Sequence, residues 1–322
     1  METVTAHSVR PKEGLRAHAG APVLVATDGR DQSDAALVAG LALTGEPASL
    51  VVLSVLPPMP IVSPEVQLPV STEDQAAREA DLRQRIEAQV ERVLGDAKPT
   101  IEIDVGDPAN TVARAAGDHN TRLIVAGLGR HRILDRLFGD ETALRLVRVA
   151  PVPVLAVARG FSSAPLRIIV AMDFSETSIR AARMALELAS ERATIYLAHV
   201  ASRESSVGSS NGSAAYTTDA GVALSGVTET LRIPAGMSVQ RVMLHGDPAT
   251  ELLAFATSVN ADLIATGSHG HGFVARMVIG SVATKLIRCA TCSVLTVPYA
   301  AAMVRTGFAV EAAPAPDLLP LV

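Results

Sequence analysis

The chain has no tryptophan, only three tyrosines and only six phenylalanines in 322 residues. Its core must therefore be filled by Val, Leu, Ile and Ala, a composition that suits parallel strands covered by helices on both faces. Cysteine is almost as scarce. Cys289 and Cys292 are the two present, too few for a disulfide scaffold and in keeping with a reducing compartment. Residues 1 to 20 mix His, Arg, Lys and Glu without the apolar segment of a secretory signal. No apolar run reaches the roughly 20 residues that a membrane span needs. A cytoplasmic protein without a membrane partner is expected. Lysine and arginine do not cluster and the formal charge is −5, which argues against a nucleic-acid surface. Catalytic signatures are missing too: there is no Ser/His/Asp arrangement at a recognisable spacing, no G-x-S-x-G and no carboxylate pair with a clear role. A binding protein is expected rather than an enzyme.

What the chain does have is an internal repeat. "VLVATDGRDQSDAALVAGLAL" (Val23 to Leu43) is an apolar run, an Asp turn and a helical pattern, and "IIVAMDFSETSIRAARMALELA" (Ile168 to Ala189) repeats it. "VGDPANTVARAAGDHNTRLIVAG" (Val105 to Gly127) matches "HGDPATELLAFATSVNADLIATG" (His245 to Gly267) at an offset of 140 residues. Length alone suggests two domains, and the duplication gives them equal size. The division expected is a tail at 1–20, a first domain at 21–160, a second at 161–300 and a tail at 301–322. In the second half, apolar runs at Arg167 to Met172, Thr194 to Val200, Val239 to Leu244, Leu263 to Thr266 and Ser293 to Val297 read as strands. Helical patterns at Ser175 to Glu191, Thr218 to Leu231, Ala249 to Val259 and Ser281 to Ala290 fill the gaps. Residues 201–213, rich in Ser and Gly, read as a loop. Such alternation predicts an α/β protein of two tandem, doubly wound, Rossmann-like domains, each a five-stranded parallel sheet with helices on both faces. Ligands of such sheets sit beyond the carboxyl ends of the strands.

One segment falls at that edge, "GSHGHGFVARMVIGS" (Gly267 to Ser281). Glycines there let a backbone approach a ligand closely. Gly280 and Ser281 open a helix, whose unpaired N–H groups and positive dipole end attract phosphate. The Ser281 hydroxyl either caps that helix or donates to a phosphate oxygen. Neither the G-x-x-x-x-G-K-[ST] loop nor G-x-G-x-x-G is present.

The spacing that is present, G-x2-G-x9-G-S after an apolar strand and with Asp173 upstream in "DFSETS", resembles the nucleotide-binding signature of the universal stress protein family. The resemblance covers residues 21 to 160 and 166 to 298. It implies a tandem member that binds ATP, with or without Mg2+, and acts as a regulatory or protective factor in stress response. By the same resemblance, Asp173 would contact adenine and the Val200 backbone would read the adenine edge. Thr266, Gly267 and Gly270 would line ribose and phosphates, while Gly280, Ser281 and Val282 would hold the phosphates. The family further implies pairing of the two domains through their last strands, Val152 to Val157 and Ser293 to Val297, admits a homodimer of the whole chain, and leaves room for slow ATP hydrolysis or self-phosphorylation. Read from the residues alone, two plainer alternatives stay open: that Asp173 only caps the following helix, and that the glycines only serve tight turns.

The first half departs from this pattern. Asp28 and Val55 stand where Asp173 and Val200 do, but the 140-residue offset sets Arg130 opposite Gly270, Asp140 opposite Gly280 and Glu141 opposite Ser281. Sliding one residue sets Gly139 opposite Gly280 but puts Asp140 in place of the serine. In either register carboxylates at the helix start satisfy the dipole themselves and repel a polyphosphate. Arg130, Arg132 and Arg136 could offset this, although arginines in such a loop are more often solvated or ion-paired. Nucleotide is therefore expected mainly in the second half. Two other readings stand beside this one. A nucleotide-independent scaffold needs none of the loop chemistry, and an adenylating ligase would need an S-G-G-x-D-S loop that neither "DFSETS" nor "DGRDQS" supplies. "CATC" (Cys289 to Cys292) has redox or metal spacing but no second cysteine pair, which leaves packing as its plainer role.

Overall fold

The computed structural model describes residues 21–58, 72–128, 140–201, 210–270 and 279–299. The first half runs β1 (Val23–Ala26), α1 (Asp34–Thr44), β2 (Leu50–Leu56), α2 (Thr72–Leu94), β3 (Thr100–Val105), α3 (Pro108–Asp118), β4 (Leu123–Gly127), α4 (Asp140–Val149) and β5 (Val154–Val157). The second runs β6 (Arg167–Ala171), α5 (Glu176–Leu188), β7 (Thr194–Ala201), α6 (Ser210–Thr230), β8 (Ser238–His245), α7 (Pro248–Ser258), β9 (Leu263–Gly267), α8 (Ser281–Cys289) and β10 (Ser293–Val297). Every residue of β1, β2, β5 and β10 is buried. Their largely apolar runs, interrupted only by Ser54 in β2 and by Ser293 and Thr296 in β10, are what a strand covered on both faces requires. The turn "GDPA" works identically in both halves. Asp107 and Asp247 accept from Asn110 N and Thr250 N as N-caps of α3 and α7, and the following proline takes the first helical position, where no N–H is needed.

The strands form one ten-stranded sheet in the order β3-β2-β1-β4-β5-β10-β9-β6-β7-β8. All pairs within a half are parallel. β5 and β10 meet antiparallel, with Leu155 opposite Leu295. Helices cover both faces. One core cluster draws on α1, α2, α5 and α6, the other on α3, α4, α7 and α8, and each spans both halves. Among the described residues no helix is long and apolar enough to cross a membrane.

Two local expectations need correction. The loop expected at 201–213 is too long, because β7 includes Ala201 and α6 begins at Ser210 rather than near Thr218. Ser and Gly lower helix propensity only modestly, and adding residues to a helix that is already nucleated costs little. The cap of α5 is Ser175, which accepts from Ser178 N, and not Asp173.

Candidate functional site

The strand order reverses between β6 and β9, and ligands of open α/β sheets sit beyond the carboxyl ends of the strands at such a switch point. Asp173, Gly267 and Gly270 meet there. After β6, Asp173 Oδ1 accepts from Ser175 N at 3.0 Å and from Ser175 Oγ at 2.5 Å. The other oxygen, Oδ2, faces Gly270, where a Cβ would come within 2.7 Å of it. Gly267 is equally constrained, since a Cβ there would lie 2.5 Å from Thr177 Oγ1. Thr177 Oγ1 in turn donates to the His269 carbonyl at 2.8 Å. These two glycines let the β9 loop dock on the first turn of α5.

Gly280 is different. Its backbone has φ −60° and ψ 151°, open to any residue, and among the described residues a Cβ would meet nothing nearer than the Ser268 carbonyl at 3.4 Å. Neither backbone strain nor packing among the described residues needs glycine at this position. Gly280 is also the N-cap of α8 and carries no side chain to cap that helix, whereas Ser175 and Asp247 cap α5 and α7. Ser281 is therefore the first helical residue and exposed, not the cap. The Val282 side chain packs on the core, which leaves its backbone N–H as the group it can offer. Gly280 N donates to Ser268 O at 2.8 Å and fixes the helix start against the end of β9.

Val200 lies on the adjacent strand. The β6–β7 ladder ends at Ala171 and Ala198, while β7–β8 pairing continues to Ala201 and His245. Met172 N donates to Ala198 O. Alternate residues of a strand present their backbone groups to the same side, so Val200 directs its N–H and C=O past the end of β6. Thr266 is buried in the last turn of β9, donating to Gly267 O at 3.2 Å. Its side chain belongs to the sheet.

Three participants were not singled out by sequence. Phe174 adopts a left-handed conformation at φ +65°, uncommon for a bulky residue. Its ring lies 4.7 Å from that of His199, whose Nδ1 is 2.8 Å from Met172 O. Burial pushes the His199 imidazole below its usual range. The third, Lys285, joins Asp247 Oδ1 at 2.8 Å across α8 and α7. The only sequence signals were "DF" at the turn and a lysine one turn into α8.

In the first half, Gly29 takes the left-handed position at φ +78°. Asp28 Oδ1 accepts from Arg30 N and Ser33 Oγ, and Arg30 Nε lies 3.8 Å from Oδ2. Gln89, buried on α2, reaches Thr27, the Arg30 carbonyl, Ser33 and Asp34. Arg130, Arg132, Arg136 and Gly139 lie outside the described residues, as do the side chains of Asp140 and Glu141. Cys289 is exposed and Cys292 buried, neither in a disulfide, with the latter's thiol pushed up to about 11 by burial. Among the described residues no cluster of His, Cys, Asp or Glu could hold a metal.

An open, doubly wound sheet with glycines at its switch point defines the class of Rossmann-like α/β proteins. The model of the universal stress protein family matches residues 21–158 and again 166–298, and the chain belongs to that family as a tandem member. A universal stress protein of Methanocaldococcus jannaschii, MJ0531, is 31% identical over 137 residues, 41% of this chain and 81% of the relative. A universal stress protein structure from Archaeoglobus fulgidus superposes with a TM-score of 0.57 at 20% identity, covering 86% of this chain and 96% of its own. Another solved member, described in complex with cAMP, is 23% identical over 42% of this chain and 98% of its own, with a TM-score of 0.31.

Proposed function

We propose that the chain is an ATP-binding regulatory or protective stress protein, not an enzyme, with one nucleotide site per chain, in the second half. The observation that carries this reading is Gly280. It is a glycine that neither backbone strain nor packing among the described residues requires, at the start of a helix whose N-cap carries no side chain. Such a position leaves room and unpaired N–H groups for an anion. Phosphates would lie on Gly280, Ser281 and Val282, ribose along Gly270, and adenine between Asp173 and the Val200 backbone. Any Mg2+ would arrive with the nucleotide, since MgATP brings its own oxygen ligands.

The first half acts as an architectural partner. Asp28 is engaged by its own turn, and Gln89 locks that turn from below. The antiparallel β5–β10 junction then serves as the covalent equivalent of a dimer contact, and a cytoplasmic location fits the composition.

The test is to release bound small molecules from the purified chain by denaturation, identify them, and titrate the stripped protein with ATP and with cAMP. One ATP per chain is expected. A folded chain that takes up neither would overturn the reading in favour of a scaffold. Two per chain would show that the first half binds as well.

A further inference from the structure

The ion pair between Lys285 and Asp247 ties α8, whose start is the proposed phosphate seat, to the start of α7, and has no role in that seat so far. Lys285 follows Ser281 by one turn of α8, so the two share a helix face. Helical side chains lean toward the N-terminus of their helix, which carries the ammonium back over the first turn of α8. Its partners show that direction: Nζ donates to Asp247 Oδ1 and to Thr250 Oγ1, each at 2.8 Å, both in the first turn of α7. α7 and α8 both start at the carboxyl edge of the sheet. The ammonium therefore sits at that edge, between two helix starts.

Asp247 is doubly committed. It caps α7 through Thr250 N, and the lysine and the threonine together hold its carboxyl down to about 2. With side-chain exposures of 47% and 59%, the pair is wet enough for the lysine to change partners. A nucleoside triphosphate would give it reason to do so. The seat itself offers backbone N–H groups and a helix end worth roughly half a unit of positive charge, far less than the charge of three phosphates.

We propose that Lys285 reads the number of phosphates on the bound nucleotide. It leaves Asp247 for the terminal phosphate oxygens of a nucleoside triphosphate and stays with Asp247 when a monophosphate is bound. This rests on the nucleotide reading above. Lysine suits the role because its ammonium is a flexible point charge with rotatable donors, whereas arginine presents a fixed fork. In the first half, Arg145 holds Asp107 at 2.7 Å in the matching place. That pair provides an internal control.

The experiment is calorimetric titration of ATP, ADP and AMP into the full chain, as wild type, Lys285→Met, Arg145→Met and Asp247→Asn, with thermal melting of each. Lys285→Met should weaken ATP by about tenfold, the scale of one charge-assisted contact, and leave AMP within about twofold. Arg145→Met should alter the melting temperature alone. Asp247→Asn, which removes the competitor for the ammonium, should tighten ATP relative to AMP, and it remains informative if Lys285→Met fails to fold. Equal changes for ATP and AMP in Lys285→Met, or a loss of ATP preference in Asp247→Asn, would reduce the pair to a helix clamp and overturn the inference. A wild-type chain that binds no nucleotide would instead sink the reading above and this inference with it.

Discussion

Three glycines of one loop do different work, and substitutions should separate them. At Gly267 an added methyl runs into the side chain of Thr177. Gly267→Ala should therefore destabilise the fold by about 1–3 kcal/mol, the usual cost of overpacking, measured as a lower urea midpoint at unchanged slope. At Gly280 there is room. Gly280→Asp should leave the urea midpoint near that of the wild type yet abolish ATP uptake, because its carboxylate would occupy the start of α8. A variant that still binds ATP would place the phosphates elsewhere. His199 adds a pH dependence. Burial favours its neutral form in the fold, so the unfolded chain takes up the proton first as the pH falls through about 6.5. Stability present above that pH is then lost as the pH drops toward the folded value. His199→Asn should flatten the decline in urea midpoint between pH 7.5 and 5.5, and an unaltered slope would assign the decline to other groups.

Among the elements, α2 and α6 occupy matching places under their halves but meet the first turn of each half differently. Gln89 on α2 is buried and gives both ends of its amide to the β1–α1 turn, while among the described residues the buried ones of α6 are Ala220, Leu224 and Val227. Gln89→Leu should leave buried partners without hydrogen bonds at a cost of about 1–3 kcal/mol. The loss should appear as a lower unfolding midpoint with nucleotide binding in the second half unchanged. A simultaneous loss of binding would mean that the turns of the two halves are coupled. Little of this was legible in the chain. Apolar periodicity placed the second-half strands and the helices α7 and α8 within a residue or two, while α5 ends three residues earlier and α6 begins eight residues earlier than read. It reads the burial that an element carries in its own period, whereas the element's exact ends are not visible in the chain. It could not show that a polar Gln89 is buried, since only the turn it meets in space satisfies it.

For the whole molecule, the ten-stranded sheet has one practical consequence. Both core clusters run through both halves, and β5 and β10 are buried along their full length. The two repeats should therefore unfold as one unit, with a calorimetric enthalpy equal to the van't Hoff value. Two resolved transitions would show that the halves are independent. The sequence by itself determined the duplication, the parallel α/β class, the glycine spacing and the asymmetry between the two loops, all of which reside in residue order and local periodicity. The tertiary structure alone decided that the Gly267 and Gly270 loop docks on α5, that Ser175 and not Asp173 caps that helix, and that Lys285 faces Asp247. Those outcomes depend on which atoms of distant segments come within hydrogen-bonding or van der Waals reach, and chain order does not specify that distance.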